Sequence, residues 1–207
     1  MIDSICVFEG IYYSRLLPLV YLRPQYDLRC GILTLREKIL SHFPSKQITL
    51  HCRSYLSELV KQQNPNHLVN EIKGENTLFI NGRVIVDKHF VDQIQLVGND
   101  TLYMKGDQIV AAKVTGSKLE ELKRSLYDLY TVSDFSDLFR KEIDVKIINY
   151  PWDLITYNGE EIRKDFELLT ASKKNSMIRG QVFEGAHLLN KENIFIDEGA
   201  RIKPGVV

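Results

Sequence analysis

Short apolar runs separated by amphipathic segments fill the chain up to residue 149. The runs predict strands over residues 4–8, 47–52, 77–80, 101–104, 108–115 and 144–149. Helical spacing of the apolar residues predicts helices over residues 34–43, 54–63, 88–95 and from 117 onward. Lys105-Gly106-Asp107 joins two of the strands as a hairpin turn would. Strands and helices that alternate at this spacing predict an α/β sheet, mostly parallel with an antiparallel part.

Three helix starts are marked by residue type. Thr34 is followed three residues later by Glu37, and Ser117 by Glu120, which is the capping-box pattern. We therefore predict that Thr34 and Ser117 are N-cap residues. Pro151 suits the first turn of a third helix, whose amphipathic pattern continues to residue 169.

The last residues have a different period. Ile196 and Ile202 each open a segment of six residues, and Ala200 and Val206 repeat at its fifth position. A period of six is typical of a hexapeptide β-helix, in which each hexad forms one flat side. We expect residues 173–207 to be a connection and the first coil of a left-handed β-helix that continues beyond Val207, after a first domain over residues 1–172. The boundary is placed at the polar stretch 173–176.

Composition narrows the range of partners. Basic and acidic residues number 27 each, so the net charge is zero and no footprint for nucleic acid or an anionic membrane surface is predicted. The three cysteines are isolated in the sequence, which favours core thiols over a zinc site or a disulfide framework. The N-terminus has no leader pattern and no apolar run is long enough to span a bilayer, so cytoplasm is the expected location.

The residues between the first strand and the first helix carry a resemblance. Arg15-Leu16-Leu17-Pro18-Leu19 is followed by Arg23-Pro24, and Tyr150-Pro151-Trp152-Asp153-Leu154 precedes the hexads. In order and spacing these segments resemble the signature of the sugar nucleotidyltransferases, and the whole chain resembles the bifunctional GlmU-type enzymes. Those enzymes pair a uridylyltransferase domain with a β-helical acetyltransferase to make UDP-N-acetylglucosamine. The resemblance implies a three-layer, Rossmann-like mixed sheet and a homotrimer formed through the β-helix, with an acetyl-CoA-type site between subunits.

The resemblance also implies a reaction and a site. The reaction is nucleotidyl transfer from UTP or dTTP to a sugar 1-phosphate, with release of pyrophosphate and with Mg²⁺ as cofactor. Arg15 and Arg23 are the expected catalytic residues, because arginine forks clamp phosphate oxygens. The metal ligands are not assigned. The residues expected to bind substrate are Gly10, Ser14, Gln25, Arg29, Asn81 and Gly82.

Several positions depart from the family pattern. The usual glycine-rich loop is Glu9-Gly10-Ile11-Tyr12-Tyr13-Ser14 here, the lysine after Arg-Pro is Gln25, and the usual Gly-Asp is closest to Asn81-Gly82. These departures leave a second hypothesis open, a catalytically degenerate domain that binds a sugar nucleotide or regulates or orients an attached β-helical acyltransferase.

Individual residues also keep alternative interpretations. Arg15, Arg23 and Arg29 are equally explained as solvated or salt-bridged residues of a loop. Asn81-Gly82 is equally explained as a hairpin turn. Trp152 is predicted as a core anchor rather than a ligand platform.

Overall fold

A computed structural model describes residues 2–44, 46–126, 129–171 and 177–207. The chain divides into two compact units, residues 1–159 and 160–207. The boundary between these two units lies within a helix. The polar stretch 173–176, where the sequence predicts a domain boundary, lies outside the described residues, so that boundary stays a prediction. Within the described parts of the chain, no helix combines the length and the apolar character needed to cross a bilayer.

The first unit is built on one seven-stranded mixed sheet. Its spatial order is β3-β2-β1-β4-β6-β5-β7. The first four strands of this order run parallel, β6 is antiparallel to β4 and β5, and β7 is parallel to β5. The strands are β1 (Ser4–Phe8), β2 (Gln47–Leu50), β3 (Leu68–Val69), β4 (Asn76–Asn81), β5 (Thr101–Lys105), β6 (Gln108–Thr115) and β7 (Phe139–Glu142). The prediction of a mostly parallel sheet with an antiparallel part, including the hairpin at Gly106, is confirmed.

Both faces of the sheet are covered by helices. The residues of β1 alternate, so that Ile5 and Val7 belong to one buried cluster and Cys6 and Phe8 to the other. The first cluster includes residues of α1, α2 and α3 and the second residues of α4, which gives three layers. All three cysteines are buried and free. The helices are α1 (Leu35–His42), α2 (Ser57–Gln63), α3 (Lys88–Gln93), α4 (Gly116–Arg124) and α5 (Pro151–Thr170).

One of the two predicted capping boxes forms. The side chain of Thr34 accepts from the backbone N–H of Glu37, and the carboxylate of Glu37 accepts from the N–H of Thr34. The prediction for Ser117 is wrong, because the N-cap of α4 is Thr115, two residues earlier. The N–H and hydroxyl of Thr115 both donate to the carboxylate of Asp100, so this neighbour fixes the end of β6 and the start of the helix.

The strand predicted over residues 144–149 is absent, and β7 lies before it. Val145 and Ile147 belong to the buried cluster on the first face of the sheet. The alternation of apolar and polar residues in this segment therefore reflects side-chain packing and not backbone pairing in a sheet. The segment makes only an isolated bridge, between Val84 and Ile147. The strand β7 was missed because it is an exposed edge whose apolar residue, Phe139, is 71% exposed.

The second unit contains two short parallel strands, β8 (Gln181–Val182) and β9 (Arg201–Ile202). Ile178 also pairs in parallel with Ile196, three hexads further along the chain. Ile196 is buried, Ile202 is half-buried, and Val206 is 44% exposed. A complete β-helix is not seen in these residues, and the predicted one stays a prediction.

Candidate functional site

The candidate site lies where β1 and β4 end. These strands are neighbours and parallel, so the residues that follow them meet at one edge of the sheet, where ligands of open α/β sheets bind. A cavity of about 40 Å³ opens there. It is lined by Phe8, Gly10, Ile11, Tyr12, Asn81, Arg83, Asp107, Ile109, Tyr130, Thr131 and Val132. The sequence-predicted residues Gly10 and Asn81 are thus brought together.

A 3₁₀ helix, Ile11–Leu16, occupies the position of the expected glycine-rich loop. Its backbone hydrogen bonds are internal, because the N–H of Tyr13 donates to the carbonyl of Gly10 and the N–H of Leu17 to that of Ser14. Those amides are therefore engaged in the turn and not presented to a phosphate. The helix instead presents side chains, and the guanidinium of Arg15 lies 4.1 Å from the ring centroid of Tyr12.

Arg83 lines the cavity and is a residue of the candidate site that the sequence did not predict. It follows Asn81-Gly82 directly and is fully buried. Its guanidinium donates to the carbonyl of Ile148 and to the side-chain oxygens of Asn149 and Gln108, at 2.8–3.2 Å. Burial, together with the nearby charge of Arg15, lowers the pKa of Arg83 to about 10, so it is a cation at neutral pH. Its position directly after Asn-Gly was the available signal.

Asn81 and Gln25 form part of the frame of the site. Gln25 donates to the carbonyl of Phe8 and to Oδ1 of Asn81, and that same oxygen accepts from the backbone N–H of Arg83. Nδ2 of Asn81 donates to the carbonyl of Ile109. Both side chains are buried and fix the ends of neighbouring strands to one another.

Gly82 is required by close packing. Its N–H donates to the carbonyl of Phe8, and an added Cβ would lie 2.7 Å from Cβ of Tyr26. The hairpin interpretation of Asn81-Gly82 is wrong. The turn it forms, closed by the N–H of Val84 on the carbonyl of Asn81, leads to an isolated bridge and not to a paired strand.

A buried ion pair ties the ends of β1 and β2 together. Both carboxylate oxygens of Glu9 accept from the guanidinium of Arg53, at 3.1 and 3.2 Å, and one also accepts from the N–H of Gln25. The guanidinium of Arg53 donates further to the carbonyls of Val20 and Arg23. The pair therefore fixes the segment that carries the family signature.

The other predicted residues lie on the surface of that segment. Arg23, Arg29 and Ser14 are exposed, and the guanidinium of Arg29 donates to the carbonyl of Ile32. Their assignment to substrate stays a prediction.

An aromatic pair extends the site outward. The rings of Tyr150 and Trp152 stack with centroids 4.7 Å apart and an interplanar angle of 11°. The guanidinium of Arg15 lies 5.8 Å from the ring centroid of Tyr150. The expectation that Trp152 is a core anchor is wrong, since the residue is 60% exposed.

The side chains around Asn81 do not fit a metal held by the protein. A hard divalent cation takes several oxygen ligands, usually including carboxylates. Here Oδ1 of Asn81 already accepts hydrogen bonds from Gln25 and from the N–H of Arg83. Among the described residues that line the cavity, Asp107 is the one carboxylate, and it lies there together with the guanidinium of Arg83. Over the described ranges no three His, Cys, Asp or Glu side chains are grouped as metal ligands would be. Mg²⁺ remains an expectation from the resemblance.

The fold and this pocket define a mixed α/β domain with its candidate site at the carboxyl ends of the parallel strands. A family model described as sugar nucleotidyl transferase matches residues 5–174. The chain belongs to this sugar nucleotidyl transferase family, as the signature segment indicated.

Solved structures are similar to this chain at low identity. CTP:phosphocholine cytidylyltransferase from Streptococcus pneumoniae is 11% identical, with a TM-score of 0.49 over 77% of this chain and 98% of that one. Inositol-1-phosphate CTP transferase from T. maritima is 10% identical, with a TM-score of 0.44 over 78% of this chain and 98% of that one. Neither likeness bears on the substrate. No curated protein sequence matches the chain.

Proposed function

We propose that this domain transfers a nucleotidyl group from UTP or dTTP to a sugar 1-phosphate and releases pyrophosphate. The product would be a sugar nucleotide of the UDP-N-acetylglucosamine kind. The observation that carries the proposal is the placement of Arg15 and Arg83 beside one pocket at the carboxyl ends of β1 and β4, in a chain of this family.

The chemistry needs positive charge more than it needs a nucleophilic side chain. A phosphate oxygen of the sugar 1-phosphate attacks the α-phosphorus of the nucleoside triphosphate. The bond from that phosphorus to the bridging oxygen breaks, and its electron pair leaves with pyrophosphate. Negative charge builds on the phosphate oxygens during the step, and positioned guanidinium groups stabilise it. In this proposal Arg15 and Arg83 hold those oxygens, Gly10 allows the ligand to approach the main chain closely, and Arg23 and Arg29 contact outer phosphates.

The test is release of pyrophosphate from the magnesium complex of UTP with N-acetylglucosamine 1-phosphate. Parallel reactions with dTTP and with glucose 1-phosphate identify the base and the sugar. Turnover that requires both substrates supports the proposal. A rate equal to that without protein, for every pair and with protein shown to be folded, contradicts it.

A second function is favoured by two features. The usual Gly-Asp of the family is closest to Asn81-Gly82, so a neutral amide replaces the expected acid, and the N–H groups of Tyr13 and Leu17 are engaged within the 3₁₀ turn. A domain of this kind would bind a sugar nucleotide without turnover and regulate or orient an attached β-helical acyltransferase. Saturable binding of UDP-N-acetylglucosamine in calorimetry, with no pyrophosphate release in any pairing, would select this function.

Residues 177–207 support a further part of the proposal, that a longer form of the protein is a homotrimer through a left-handed β-helix. The support is the hexad pattern, the parallel bridge between Ile178 and Ile196, which are three hexads apart, and the parallel pairing of β8 with β9. A repeat unit buries its apolar edge only against neighbouring repeats. Light scattering should therefore give a monomer for residues 1–207 and a trimer for a chain with several more coils. A stable trimer of residues 1–207 would place the oligomer surface elsewhere.

A further inference from the structure

We infer that the pocket binds a nucleoside di- or triphosphate without a metal ion, with the phosphates on Arg83 and Arg15 and the base stacked on Trp152. The inference takes its choice of site and of ligand class from the proposed function. It requires binding alone, so a domain that binds without turnover would satisfy it equally.

The first step concerns charge. Arg83 is fully buried, yet its three hydrogen-bond partners are neutral oxygens and its Nε–H has no partner among the described residues. In the part of the chain that the structure describes, no carboxylate lies within ion-pair distance of Arg83 or Arg15. A buried cation without a paired anion is costly. The two guanidinium groups therefore form a site in which an anionic ligand supplies the missing charge.

The rim of the pocket contains one acidic group that bears on this balance. Asp107 lines the cavity and accepts a hydrogen bond from the hydroxyl of Tyr12 at 2.7 Å. The ring of Tyr12 contacts both guanidinium groups, with Arg83 at 5.5 Å and Arg15 at 4.1 Å from its centroid. Asp107 is exposed, so it screens Arg83 only in part. Its negative charge would repel a bound phosphate. Removal of that charge should therefore strengthen nucleotide binding, whereas removal of a guanidinium should weaken it.

The second step concerns the metal. Two neighbouring guanidinium groups repel a divalent cation, and Oδ1 of Asn81 already accepts from two donors. The one carboxylate of the described lining, Asp107, accepts from Tyr12 and is too few for a hard cation, which takes several oxygen ligands. The same groups match the planar, bidentate geometry in which arginine binds phosphate oxygens. Arg83 thus supplies at this position the positive charge that a metal ion would otherwise bring.

The third step concerns the base. Tyr150 and Trp152 stack face to face, and Trp152 leaves much of its ring exposed. Tyr150 follows Asn149, which accepts from Arg83, and the ring of Tyr150 faces Arg15. The aromatic pair therefore lies next to the two arginines that are proposed to bind the phosphates. Stacking on an exposed aromatic ring is how proteins hold a base with little sequence preference.

The experiment uses the fluorescence of Trp152, which is the one tryptophan of the chain. The protein is titrated with UDP and with UTP in excess EDTA, and binding is measured in parallel by calorimetry. We expect saturable quenching with either nucleotide and calorimetric binding of pyrophosphate without quenching. Arg15→Gln should weaken UDP binding by about tenfold or more, the effect of losing a charged hydrogen bond. Asp107→Asn should tighten it, and Arg140→Gln, which removes an exposed charge on β7, should leave it unchanged.

Defined results would overturn the inference. Binding that is absent in EDTA and restored by Mg²⁺ would show that a metal is required. Equal affinities for Arg15→Gln and Arg140→Gln would remove the guanidinium assignment, and UDP binding without a change in fluorescence would remove the base assignment. Failure of the pyrophosphate-release assay, with EDTA-resistant binding intact, contradicts the transferase proposal and supports this inference. Turnover combined with strictly Mg²⁺-dependent binding does the reverse.

Discussion

The carboxylate of Glu9 and the guanidinium of Arg53 form a buried ion pair, with Nε of Arg53 3.1 Å from Oε2 of Glu9. Glu9 follows β1 and Arg53 follows β2, so the pair joins the ends of two neighbouring parallel strands. The same guanidinium holds the carbonyls of Val20 and Arg23. The buried Glu9–Arg53 pair thus holds the segment that carries the family signature in place through its main-chain carbonyls.

Glu9→Gln should strongly destabilise the protein, because it leaves the charge of Arg53 buried and uncompensated. The expected loss is about 3 kcal/mol or more in the free energy of unfolding, measured by chemical denaturation. Glu71→Gln is the matched control, since Glu71 pairs with Lys73 on the surface and an exposed pair contributes about 0–1 kcal/mol. Similar losses for both variants would mean that burial does not decide the importance of the Glu9 pair.

Gly82→Ala should destabilise the protein and disturb the site. The new Cβ would lie 2.7 Å from Cβ of Tyr26 and 3.3 Å from the carbonyl oxygen of Phe8, and forced contacts of this kind cost about 1–3 kcal/mol. Gly159→Ala provides the opposite case, because nothing lies within 4 Å of the added atom in α5. It should stabilise the protein by up to about 1 kcal/mol through helix propensity. A change of the same sign in both variants would contradict the packing argument.

Thr34→Ala should cost about 0.5–2 kcal/mol, the usual value of an N-cap. Burial acts to raise the pKa of Glu37, but the hydrogen bonds from Thr34, together with the charges of Arg29 and Arg36, outweigh it and lower the pKa below its ordinary value of 4.5. The interaction is therefore present above that value and is lost as the pH falls through the lowered pKa. The difference between wild type and Thr34→Ala should accordingly narrow at acidic pH.

The matched control for that prediction is Ser117→Ala. Ser117 fits the same sequence pattern but does not cap α4, so its substitution should change stability by no more than about 0.5 kcal/mol. A loss equal to that of Thr34→Ala would show that Ser117 contributes through a contact outside its own helix start.

The contrast between Thr34 and Ser117 indicates what the sequence can and cannot predict. The capping box at Thr34 was predicted correctly, because no other residue in the described part of the chain competes for its hydrogen bonds. The prediction was wrong at α4, where Asp100 accepts hydrogen bonds from Thr115 and so fixes the start of the helix two residues earlier. The inner strands were predicted because burial on both faces makes them continuously apolar. The edge strand β7 was not, because its pairing leaves Phe139 and its polar neighbours exposed.

The candidate site shows the same limit at longer range. Gly10 and Asn81 were predicted from the signature and do meet at the pocket. Arg83, Glu9 and Arg53 were missed, since their roles come from strands that become neighbours only in the fold. Each of the three follows an apolar strand run by one to three residues. A charged residue at that spacing was the available signal.

Arg15→Gln should lower kcat/KM for pyrophosphate release by about tenfold or more, because a charged hydrogen bond to phosphate contributes about 1.5–3 kcal/mol. Arg15→Lys should recover only part of the loss, since lysine keeps the charge but lacks the planar fork. Arg23→Gln should cost less than Arg15→Gln, because the side chain of Arg23 is exposed and solvent screens its charge. Steady-state kinetics on the three variants, with Arg140→Gln as the control for loss of a surface charge, measures this order. A larger loss at Arg23 than at Arg15 would move the phosphate contacts from the pocket to the outer face of the signature segment.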